Sequence, residues 1–182
     1  MKKLASLLAL ACVLAFSCQA AQAMDSKTGQ AILEKALTIH AVTEGDKSRL
    51  TDAFLEENFR YLACNLCEGE FDEKAGATRF SAAEVQGTIV DLFGRPAAVP
   101  RYAKAKGKHL YIDNCGDAGE HPDVIKFVKA EDKDGRTVVV GDMYTSYGEN
   151  PRKKDGTLRV TVRPEKSSPF GYVLEGIADD WR

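Results

Sequence analysis

The chain has 182 residues, with 25 basic and 27 acidic side chains and a formal net charge of −2. That balance argues against nucleic acid as a partner, which wants a basic face. Setting aside residues 1–23, for the reason given next, leaves 159 residues with 23 basic and 27 acidic groups, a net charge of −4. This is the size of a single domain, long enough to bury a core without staples.

Residues 1–23 read as a secretory signal peptide. Lys2 and Lys3 form a positive start, and residues 4–16 are an almost unbroken apolar run. The run is shorter than the roughly 20 apolar residues of a spanning helix. Ala21, Gln22 and Ala23 then fit a signal-peptidase site, with cleavage before Met24. The expected location is the periplasm or the exterior, with no transmembrane segment in the mature chain. Ser17-Cys18 resembles the end of a lipobox, and the alternative is a lipoprotein anchored through Cys18.

Beyond this segment, Thr28 can cap a helix running to about Val42, with Ile32, Leu33, Ala36, Leu37, His40 and Ala41 on one face. After Gly45, Asp46 or Ser48 can cap a second helix carrying Leu50, Phe54, Leu55, Phe59, Leu62 and Leu66. A short strand fits at Phe71 or at residues 78–80. Ser81 and Glu84 have the spacing of a capping box, with Phe80 and Val85 as a hydrophobic staple. That helix ends at Gly94, before Pro96. Residues 95–108 form a connector with five basic side chains, Arg95, Arg101, Lys104, Lys106 and Lys108.

Five strands follow, at residues 108–113, 124–130, 136–147, 158–163 and 170–177. The second and third fold back at Asp134-Gly135. Residues 178–182 form a tail. Helices followed by an antiparallel meander predict an α+β fold. This order, closing on Phe170-Gly171-Tyr172-Val173-Leu174-Glu175-Gly176-Ile177, resembles the NTF2-like (cystatin-like) superfamily. The resemblance spans most of residues 28–177 and implies N-terminal helices packed on a curved antiparallel sheet that forms a cone. The superfamily holds both enzymes and non-catalytic binding domains, so the fold alone confers no function.

Cysteine carries the sharpest local chemistry. Cys12 and Cys18 fall in the signal segment, leaving Cys64, Cys67 and Cys115. Three cysteines in an oxidising compartment imply one disulfide and one free thiol. Joining either member of Cys64-Asn65-Leu66-Cys67 to Cys115 would close a long loop, and Cys67 to Cys115 is slightly preferred. The remaining thiol could link two copies of the chain. A redox C-x-x-C needs a stabilised thiolate, yet this one falls at a helix C-terminus, where the dipole has the wrong sign. A zinc set of Cys64, Cys67 and Cys115 with His121 or His109 is the third reading, at a spacing outside the usual pattern.

Asp113, Asp117, Glu120 and Asp123 form an acidic loop without EF-hand spacing. No G-x-S-x-G, H-E-x-x-H, P-loop or G-x-G-x-x-G occurs. With no catalytic residue and no cofactor indicated, the expectation is an exported, non-catalytic binding or accessory domain. Its partner, a small molecule or an envelope protein, would sit between helices and sheet. The alternatives are a small NTF2-like hydrolase or isomerase, and a thiol redox or zinc protein.

Overall fold

A computed structural model of the chain describes residues 24–116, 124–145 and 153–181. The signal segment with Cys12 and Cys18, most of the acidic loop with His121, and Tyr147 lie outside the described residues. The fold is α+β, and the described residues form four helices and two antiparallel four-stranded sheets. Two sheets replace the single curved sheet expected.

The first sheet contains β1 (Glu70–Asp72), β2 (Ala77–Ser81), β3 (Lys104–Lys106) and β4 (His109–Ile112), in the order β1-β2-β4-β3. The second is a meander of β5 (Val124–Lys133), β6 (Arg136–Thr145), β7 (Lys153–Pro164) and β8 (Tyr172–Trp181). β5 and β6 join at Asp134 (φ 53°) and Gly135 (φ 76°), the left-handed pair that a two-residue hairpin turn of type I′ requires. β8 runs on to Trp181 where a tail was expected, pairing Leu158 with Asp179 and Gly156 with Trp181. β3 forms inside the basic connector, its Ala105 opposite Leu110 of β4.

Helix α1 (Ser26–Val42) covers one face of the second sheet. Asp25, not Thr28, caps it: its carboxylate accepts from the Lys27 and Thr28 N–H groups at 2.9 Å, while the Thr28 hydroxyl donates to it. Aspartate in an extended Ncap can reach the second and third amides, so the helix starts earlier than the apolar pattern alone implies. Leu33, Ala36 and Ile39 of α1 are fully buried, as are Val139, Met143, Leu158, Val160 and Val162 of the sheet. Each large side chain of this kind contributes ~1.5–3 kcal/mol.

α1 approaches β6 at Gly141, where a Cβ would stand 2.7 Å from Leu33. Its Gln30 also clamps the edge strand: the side-chain NH₂ donates to Ile125 O and the side-chain oxygen accepts from Phe127 N, both at 2.8 Å. The clamp sits beside the bulge between Phe127 and Lys129.

The expected second helix is two short ones, α2 (Asp52–Glu57) and α3 (Phe59–Leu66). They break at Asn58, which is buried at 2% exposure. Its side-chain NH₂ donates to the Phe54 and Glu44 carbonyls, and its oxygen accepts from Glu44 N at 2.8 Å. Asparagine readily trades helix geometry for such local bonds. Residues 47–50 stay outside the helix and lie along β8, with Ile177 N donating to Lys47 O and Leu50 N to Glu175 O.

α4 (Ala82–Phe93) begins at the expected cap, Ser81 accepting from Glu84 N at 3.4 Å. The reciprocal half of the box is diverted: Glu84 accepts from Glu68 N, tying the α3–β1 connector to α4. Gly94, at φ 72°, ends the helix.

Candidate functional site

Cys64, near the end of α3, is bonded to Cys115, just beyond β4, with Cα atoms 5.4 Å apart. The slightly preferred Cys67–Cys115 pairing is thereby corrected. α3 ends at Leu66, so Cys67 follows in extended backbone (φ −121°, ψ 153°) instead of sharing the helical face of Cys64. Cys64 faces the loop after β4, whereas Cys67 turns toward α4, where Thr88 hydrogen-bonds it. Cys67 is a half-buried free thiol. Burial first, and the Glu84 carboxylate in lesser part, push its pKa up, against the pull of the Thr88 hydrogen bond. A thiol in that setting is a poor nucleophile. Of the zinc set Cys64, Cys67, Cys115 and His121, Cys64 and Cys115 are joined to each other, no group of metal-ligating side chains forms among the described residues, and His121 lies outside them. His109 is exposed at the start of β4, opposite Ser81 and Lys106.

The disulfide forms part of the wall of a cavity of about 310 Å³. Its other walls are the end of α1, through Val42 and Glu44, then Arg60, Tyr61 and Asn65 of α3, and Asn114. The volume lies at the lower end of the range for small-molecule sites, roughly 300–1,000 Å³. The helix–sheet interior, by contrast, is filled by the core side chains named above.

Each polar group of this cavity is positioned from behind. The buried Asn58 holds the Glu44 backbone through both its N–H and its C=O. The Asn65 side-chain NH₂ donates to Tyr61 O at 2.8 Å, along α3. Tyr102, from the connector, accepts from Arg60 N at 3.1 Å. Asn114 sits at φ 58°, a conformation asparagine tolerates better than most residues.

Arg60 is the centre of the site. Its guanidinium lies 4.9 Å from the centroid of the Tyr61 ring and donates to the Tyr61 hydroxyl at 3.2 Å. That hydroxyl in turn donates to the Glu44 carboxylate at 3.1 Å. Among the described residues, no carboxylate comes within ion-pair distance of Arg60. A half-buried, stacked guanidinium therefore keeps donors to spare, in a fork suited to a carboxylate or phosphate. None of these residues has a motif spacing; the one sequence signal was Cys64, which marks the wall.

A second cleft, of about 240 Å³, contains His40, Asp46, Ser48 and Asp179. His40 Nε2 lies 3.5 Å from Asp179, a residue that sequence reasoning left in the tail. Serine, histidine and aspartate side chains meet here. The Ser48 N–H donates to Asp46 at 2.8 Å. That bond, and then one from the Ser48 hydroxyl, hold the Asp46 carboxyl below its ordinary value.

Comparison with family models, with curated proteins and with solved structures returns no match.

Proposed function

We propose that this protein is an exported, non-catalytic binding domain of NTF2-like type. In this reading, the cavity beside the Cys64–Cys115 bridge takes a small ligand bearing a carboxylate or phosphate. The observation that carries it is Arg60, set in the cavity wall, stacked on Tyr61 and lacking a carboxylate partner among the described residues. A disulfide-braced wall and a pinned Glu44 loop support it, because a preorganised site loses less entropy on binding. Export rests on the signal segment, and an oxidised Cys64–Cys115 pair is at home outside the cytosol.

The test is calorimetric titration of the purified protein with a panel of small carboxylates and phosphate esters. At least one should bind. Arg60→Ala should weaken it about 10- to 100-fold, since a charge-assisted hydrogen bond contributes ~1.5–3 kcal/mol. Arg60→Lys should recover only part, because a lysine cannot reproduce the fork. A binder whose affinity ignores Arg60→Ala would sink the reading, as would a panel in which nothing binds.

A further inference from the structure

The basic connector builds a second surface, which meets the cavity only at Tyr102, whose hydroxyl accepts from Arg60 N. Residues 95–108 carry five basic side chains and no acidic one, in a chain that is acidic overall. Arg95 is spent internally, on Asp52 and on the Leu50 carbonyl. The other four, Arg101, Lys104, Lys106 and Lys108, are exposed.

The fold holds this segment rigidly at two points and presents what lies between. Gln86 pins Ala97 through its N–H and its C=O, at 3.2 and 2.9 Å. Ala103 is buried at 5% exposure, and its N–H closes a turn on Pro100 O at 3.0 Å. Between these anchors the chain projects Val99, Arg101 and Tyr102, with Val99 43% and Tyr102 44% exposed.

β3 then continues along the edge of the first sheet. Its register sets Lys104 opposite Tyr111 and Lys106 opposite His109, so both lysines share the face that Ala105 does not. Lys106 Nζ lies 5.1 Å over the Tyr111 ring, and Lys104 is 3.7 Å from Asp113. Lysines on an edge strand also discourage strand-to-strand association. That role accounts for Lys104 and Lys106. It does not account for an apolar side chain and an aromatic ring held out to solvent at the adjoining turn, or for Arg101 and Lys108 beyond the strand.

We infer that the turn 99–102 and the lysine face of β3 form a docking surface for bilayers with anionic headgroups. Cations beside exposed apolar groups are the composition of an interfacial site. Each basic side chain near such a surface strengthens partitioning about fivefold. A dissolved acidic polymer would use the cations equally well, but it would have no use for Val99. The Tyr111 ring on the lysine face already lies beneath Lys106 instead of being open for stacking.

The experiment is co-sedimentation with vesicles, using protein that begins at Met24 and so carries every described element. Binding to vesicles of mixed phosphatidylglycerol and phosphatidylcholine is expected, with none to pure phosphatidylcholine. Binding should weaken steeply as salt rises from about 0.05 to 0.5 M, because screening shortens the reach of surface charge. The triple variant Lys104→Glu, Lys106→Glu, Lys108→Glu should lose about a hundredfold or more. Val99→Ser should lose severalfold. Both variants replace exposed side chains, and circular dichroism with thermal melting checks that they stay folded.

Absence of binding to the anionic vesicles would overturn the inference, as would a folded triple variant that binds like the parent. Heparin or single-stranded DNA bound as tightly as vesicles, with Val99→Ser without effect, would assign the surface to an acidic polymer. The cavity test is unaffected by any of these outcomes, because it depends on Arg60.

Discussion

His40 shows how a single side chain can couple this fold to pH. It lies on α1 with its side chain 14% exposed, facing Asp179. Its pKa is lowered, first by burial and then by Lys47, while Asp179 pulls the other way. A histidine whose folded pKa is depressed contributes its full stability above the unfolded value, ~6.5, and loses it as pH falls through the folded value. The melting temperature should therefore drop on acidification from about pH 7.5 to 5. His40→Gln should flatten that part of the profile; parallel profiles for the two proteins would contradict it. At this scale the sequence was least informative. His40 was legible as a member of an apolar face, but Asp179 lay in an expected tail. Asn58 and Arg60, inside the expected second helix, carried no signal of their own. Asn58 and His40 gain their roles from partners 14 and well over 100 positions away, which no local periodicity encodes.

At the scale of elements, the patterns that were strong came through. Ser81 and Gly94 bracket α4, the Asp134-Gly135 turn is where it was expected, and the meander order holds. What was missed was short, polar or held by tertiary contacts. β3 is three residues long, two of them lysine. The end of β8 carries Asp179 and Asp180, and the β8-bound stretch 47–50 takes its shape from bonds to the Glu175 carbonyl and the Ile177 amide. Gly176 makes that last docking testable. A Cβ there would press on the Ser48 carbonyl oxygen, which is backbone and cannot rotate away. Gly176→Ala should therefore destabilise the protein by about 1–3 kcal/mol, read from urea unfolding. An unchanged midpoint would mean that the stretch is not tightly seated.

For the whole molecule, the Cys64–Cys115 bridge ties α3 to the exit of the first sheet across 51 positions. The chain-entropy model assigns a loop of that length about 4 kcal/mol. Cys64→Ser with Cys115→Ser should lower unfolding stability by roughly this amount, and added reductant should then have no further effect on the variant. A loss under about 1 kcal/mol would show that the bridge braces the cavity rather than the fold. That one cysteine would remain free was legible from the count. Which one was not, because it depends on how α3 is rotated. The largest departure, two sheets in place of one, arose because strand patterns report burial and not which strands pair.

The Gln30 clamp has a further consequence, one of timing. Its partners, Ile125 and Phe127, lie 95 and 97 positions downstream. At about 5–20 residues per second of synthesis, α1 waits some 5–20 s before the sheet that covers it exists. During that interval Leu33, Ala36 and Ile39 have no lasting cover. A nascent chain in this condition reaches its mature packing only once the last hairpin has been delivered.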